Sequence, residues 1–185
     1  MDEPGGDHVA IIRFWFAEIR PEQWWAVDPA FDALLRERFL DTLTRVVRGE
    51  HARWREQPLG RLAEIIVLDQ FSRNIHRGMP LAFAQDSLAL ALSREAVACG
   101  VLTQLQQPTE RAFLLMPYMH SESAAVHAEA EPLFRAWTPE ENYQFELRHK
   151  AIIDRFGRYP HRNRILGRAS SAEEEEFLRQ PGSSF

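Results

Sequence analysis

A single cysteine in 185 residues, Cys99, leaves no intrachain disulfide and points to a reducing cytoplasm. Set among Ala96, Val97, Ala98 and Gly100 near a helix end, it reads as a packed, inert thiol. Lysine is as scarce. Lys150 stands alone, and arginine supplies all the rest of the 22 Lys and Arg residues. A GC-rich genome accounts for such a bias, while its functional counterpart is the guanidinium's fit to carboxylate and phosphate. No stretch approaches the roughly 18 uninterrupted apolar residues of a membrane span, so no membrane association is expected. The acidic start, MDEPGGDH, has none of the basic residues that open a secretory signal. Gly 9 and Pro 11 are too few for low complexity. An excess of positive charge is missing as well: the formal net charge is -5, which argues against a general nucleic-acid binder. Neither a P-loop, a Rossmann glycine loop, a G-x-S-x-G elbow nor an HExxH helix occurs, so no nucleotide cofactor and no metal is expected.

What is there suits a globular core: 45% hydrophobic and 26% charged residues, enough for one helical domain over 1–185 with 1–6 and 180–185 as loose tails. No segment alternates with the period of a strand. Helix follows helix instead. The first runs from about Asp7, an N-cap candidate, to Ile19. Trp24 and Trp25 fall in the loop after Pro21, where indoles plug a core edge. Asp28 and Pro29 start a second helix whose stripe is Phe31, Leu35, Phe39, Leu43 and Val46. Further helices are expected at about 61–73, then at an alanine-rich 81–99 ending at Gly100, then at 109–116 with Pro117 ending or kinking it. Next come 121–137, 139–156 opened by a Thr138–Glu141 capping box, and a short one after Ser170 and Ser171. The fold class is therefore all-α, about seven to eight helices packed antiparallel across short connections.

Three segments can carry chemistry. In LDQFSRN, Asp69 and Arg73 are four apart and pair on one helix face, with Asn74 at its polar end. In MPYMHSES, His120 and Glu122 straddle a helix break that can turn both toward one cavity, a carboxylate then fixing the histidine tautomer. From Arg148 to Arg168, seven basic residues face one acid, Asp154, and Tyr159, Pro160 and His161 are interleaved among them. Such a positive focus concentrates anions, and arginine forks hold phosphate or carboxylate. The plainer reading is that these arginines tie the loop to acidic helices.

These stretches, with WFAEIRPEQWW near the start and HKAIIDRFGRYPHRNRILGRASSAEEEEFL near the end, resemble the bacterial domain of unknown function 924 family. The resemblance spans almost the whole chain. It implies a tetratricopeptide-like helical fold and no particular activity; the tetratricopeptide repeat signature itself is absent here.

Three functions follow as expectations. The first is a binding module, in which Asp69, Arg73, Asn74, His120, Glu122, His149, Arg158, His161, Arg162 and Asn163 hold an anionic small molecule or acidic peptide. The second is a hydrolase or transferase with His120 or His161 as acid–base, oriented by Glu122 or Asp69. The third is a protein–protein interaction scaffold whose arginine-rich loop is structural.

Overall fold

In a computed structural model, the protein is described from Gly6 to Phe185, with side chains from His8 onward; residues 1–5, most of the expected N-terminal tail, and the Asp7 side chain lie outside the described part. All regular structure among the described residues is helical. In chain order the α-helices are α1 (Gly6–Arg13), α2 (Pro29–Val47), α3 (Pro58–Ile66), α4 (Ser72–Ile75), α5 (Asp86–Ala98), α6 (Val101–Gln104), α7 (Pro108–Met119), α8 (Ala124–Trp137), α9 (Glu140–Phe156) and α10 (Ala172–Leu178).

Local chemistry sets several of the ends. The Asp28 side chain accepts from the backbone N–H groups of Ala30 and Phe31, with Pro29 at the first helical position of α2. Ser171 and Glu174 form a reciprocal capping box on α10. Gly157, at φ 69°, takes the left-handed conformation that closes α9. Thr138 does not cap α9 as expected: its hydroxyl bonds back to the Phe134 carbonyl at the end of α8, and Pro139 precedes α9. Pro117 does not end α7 either. The helix carries it and runs on to Met119, so the break falls at His120, three residues past the proline.

Two segments widen into π-helical turns. Phe14–Glu18 continues α1, and Val67–Phe71 joins α3 to α4. The second lies in the middle of the core, where Ile65, Ile66, Val67, Leu68 and Phe71 are all fully buried. α3 packs on α1, α5 and α7 at once, which is why its apolar residues encircle it instead of forming a single stripe. Phe14, Trp15, Phe39, Phe71 and Phe113 interlock around this helix, Trp15 meeting Phe113 edge-on at 5.6 Å and Phe39 meeting Phe71 at 4.9 Å. α3 can also approach the preceding turn closely because of Gly60, where a Cβ atom would lie 2.0 Å from the Trp54 carbonyl oxygen.

The chain from α7 to α9 stacks consecutively, α8 against both neighbours, and a second small apolar cluster of Ile152, Ile153 and Tyr159, with Phe156 and Phe177 against it, seats the C-terminal segment. The last residues, expected as a loose tail, lie on this part: Ser183 is buried and the Phe185 ring stands 3.8 Å from that of His149. Cys99 is exposed, contrary to the packed thiol expected, because α5 ends just before it and Gly100 turns the chain outward. No helix is long and apolar enough to cross a membrane.

Candidate functional site

An open cleft of about 330 Å³ lies where the start of α5, the end of α7 and the 160–166 turn meet, with Phe83, Asp86, Ser87, His120, Glu122 and Arg162 among its walls. Its floor is built from the π-turn. The extra residue in that turn re-aims the side chains that follow α3, and Asp69, almost completely buried, emerges beneath the cleft. Asp69 Oδ1 lies 2.7 Å from His120 Nδ1 and accepts from Arg73 Nη1 at 3.0 Å, while Asp69 Oδ2 accepts from Gln70 Nε2 at 2.6 Å.

Burial alone would raise the Asp69 carboxyl, but the Arg73 guanidinium and the His120 ring outweigh it and hold the group well below the usual carboxylate range. An ionised carboxylate only accepts. The proton of neutral His120 therefore sits on Nδ1, facing Asp69, and the lone pair sits on Nε2. Burial, with the nearby Arg73 charge, pushes His120 down against the pull of Asp69, so the ring is neutral at pH 7. Nε2 has no hydrogen-bond partner among the described residues, and the side chain keeps 12% exposure on the cleft.

Around this dyad the charges are matched. Arg73 forks onto Asp86 at 2.9 and 3.1 Å. Arg162 reaches Asp86 Oδ2 at 3.2 Å and the His120 carbonyl at 3.0 Å, its guanidinium sandwiched between the Phe83 and Tyr159 rings at 4.6 and 4.7 Å. Arg168 forks onto Glu122 at 2.7 and 2.9 Å, and the Tyr159 N–H donates to the same carboxylate at 2.7 Å. Partial burial would raise Glu122, yet Arg168, this N–H and Arg162 together lower it.

Of the residues singled out in the sequence, Asp69, Arg73, His120, Glu122 and Arg162 converge here. Asn74 does not: its amide donates to Asp32 Oδ1 at 2.8 Å, and Arg77 clamps the same carboxylate, fixing α2 to α4. Arg158 is drawn to Glu174 on α10 at 2.7 and 2.8 Å. Asn163 bonds Arg168 and Ser170 within its own loop. His149 and His161 flank Tyr159 behind the cleft, at 5.8 and 5.7 Å between rings, under Phe185. Burial pushes His149 down to about 3, and burial with the Arg162 charge pushes His161 down to about 4.

Neither Asp86 nor the His127–Glu146 pair that meets Tyr159 in the interior was legible in the sequence. His127 Nδ1 lies 2.7 Å from Glu146 Oε1 and its Nε2 lies 2.9 Å from the Ser121 carbonyl, while the Tyr159 hydroxyl donates to the Met119 carbonyl at 2.5 Å. The cluster locks the helix break beside His120. Among the described residues no group of three or more His, Cys, Asp or Glu side chains is arranged to hold a metal ion.

The model of the family described as "Bacterial protein of unknown function (DUF924)" matches residues 11–182. The chain belongs to this family. A solved structure of a protein of unknown function from Agrobacterium tumefaciens is similar at 33% identity, with a TM-score of 0.87, over 92% of this chain and 96% of that one. No curated protein matches. The family resemblance read from LDQFSRN, MPYMHSES and the arginine-rich stretch is thus correct, and the family's helical fold positions the cleft described above.

Proposed function

We propose that the cleft is an active site in which His120, oriented by Asp69, serves as a general base toward a small molecule. The observation that carries this reading is the 2.7 Å contact of His120 Nδ1 with the buried Asp69 carboxylate, which leaves Nε2 unpartnered at the cleft. A neutral imidazole whose far nitrogen is fixed by a carboxylate is the arrangement that proton abstraction needs. The cleft's volume of about 330 Å³ lies at the small end of the about 300–1,000 Å³ range of small-molecule sites.

The anion-binding expectation shares this location but has less behind it. Arg73, Arg162 and Arg168 face Asp69, Asp86 and Glu122 one for one, so the positive focus of the sequence is spent inside the protein.

The test is turnover of a panel of p-nitrophenyl esters, phosphates and glycosides by the wild-type chain and by His120→Asn. General-base catalysis predicts a loss of about 10²–10⁴-fold on whichever class is hydrolysed, with Asp69→Asn also impaired. Equal rates in wild type and His120→Asn on every class would refute the assignment.

A further inference from the structure

Resting on the general-base reading of His120, we propose that Ser87 is the nucleophile it activates and that the substrate is an uncharged short-chain acyl ester. Ser87 and Asp86 occupy the first turn of α5 and line the cleft opposite the end of α7. The Ser87 side chain is exposed, and its hydroxyl has no hydrogen-bond partner among the described residues.

Two arginines register this turn against the imidazole. Arg73 Nη1 contacts both Asp86 Oδ1 and the Asp69 Oδ1 that holds His120, at 2.9 and 3.0 Å. Arg162 joins Asp86 to the His120 carbonyl. Asp86 is therefore held in relation to His120 from two sides, and the next residue of the same helical turn, Ser87, borders the same cleft as the open nitrogen. Ser121 also borders the cleft, but it is less exposed than Ser87, and its carbonyl is tied to His127 Nε2 at 2.9 Å.

The substrate class follows from the walls. Phe83, Leu90, Pro117 and Leu166 are apolar, and the cleft's guanidinium and carboxylate groups cancel, so nothing there compensates the charge of a phosphate. In the step itself, Ser87 Oγ bonds to the ester carbonyl carbon while its proton passes to His120 Nε2. The bond to the alcohol oxygen then breaks, and the alcohol leaves with that proton. Water attacks the acyl–Ser87 ester by the same route, freeing the carboxylic acid and restoring the serine hydroxyl.

The experiment treats the full chain with an alkyl fluorophosphonate and maps the adduct by mass spectrometry, alongside hydrolysis of p-nitrophenyl acetate, butyrate and phosphate. The expected result is one adduct per chain on Ser87, absent in S87A and slowed about 10²–10⁴-fold in H120N, with both esters hydrolysed and the phosphate untouched. Circular dichroism melting of S87A, an exposed position, should match wild type. An adduct on Ser121 or another hydroxyl, or His120-dependent ester hydrolysis without any adduct, overturns Ser87 and leaves the general base standing. Preferential hydrolysis of the phosphate overturns the acyl substrate. Labelling and hydrolysis that are absent, or equal in wild type and H120N, overturn both readings.

Discussion

His149 and His161 are the residues through which this protein should feel acid. Both are kept neutral by burial, at about 3 and about 4 against an ordinary 6.5. The unfolded chain takes up these protons below about pH 6.5 while the folded chain refuses them. Stability is therefore complete above pH 6.5 and falls as the pH drops toward 4, and His149→Gln with His161→Gln should flatten that slope in a series of thermal melts. Arg162 makes a second residue-level case. Its position in a charged loop suggests a side chain that can be removed without cost to the apo protein. Its side chain is instead 6% exposed and bonded to Asp86 and the His120 carbonyl. Arg162→Ala should therefore lower the melting temperature of the free protein, toward the lower end of the about 3–5 kcal/mol typical of breaking a buried pair, since Asp86 keeps Arg73. An unchanged melt would show that the sandwich between Phe83 and Tyr159 contributes nothing.

At the scale of elements, ends written in local chemistry could be read from the chain and widths could not. Asp28 with Pro29, and Ser171 with Glu174, announce their helices because the cap is made by residues within one turn. The π-turn over Val67–Phe71 has no such local marker. It arises where α3 is pressed by α1, α5 and α7 at once, and it decides that Asp69 faces His120 while Asn74 faces Asp32. Asp86 escaped notice for the same reason. It lies in an alanine-rich stretch that speaks for packing, and its partner Arg162 is 76 residues away. Close packing at α3 carries its own test. Gly60→Ala places a methyl carbon 2.0 Å from the Trp54 carbonyl oxygen, so the 3₁₀ turn Ala52–Glu56 or α3 must move. Overpacking of this kind costs about 1–3 kcal/mol, measurable by denaturant unfolding, and a neutral result would mean that the Trp54 turn yields freely.

For the whole molecule, the arginine-rich segment is mostly mortar. Arg155 and Arg158 hold α10 through Glu173 and Glu174, and Arg168 holds Glu122 beside the cleft. Local charge in the sequence thus overstated what the surface offers, because its compensating acids lie outside the segment, Glu173 and Glu174 just beyond it and Glu122 and Asp86 far before it. Arg168→Ala removes two charged hydrogen bonds from a half-buried carboxylate, each worth about 1.5–3 kcal/mol. Limited proteolysis should then cut within 158–170 well before the helical body opens. Cleavage at the wild-type rate would show that Tyr159 and Pro160 seat the segment without it.

One feature of the fold gives these questions an instrument. Cys99 is exposed just past the end of α5, and Asp86 and Ser87 open the same helix. At about 1.5 Å rise per residue, a maleimide dye on the native thiol stands about 20 Å from the cleft mouth, along a rigid rod. The chain thereby offers a built-in optical ruler, addressable with no engineered cysteine, for watching a quencher-bearing compound enter or leave.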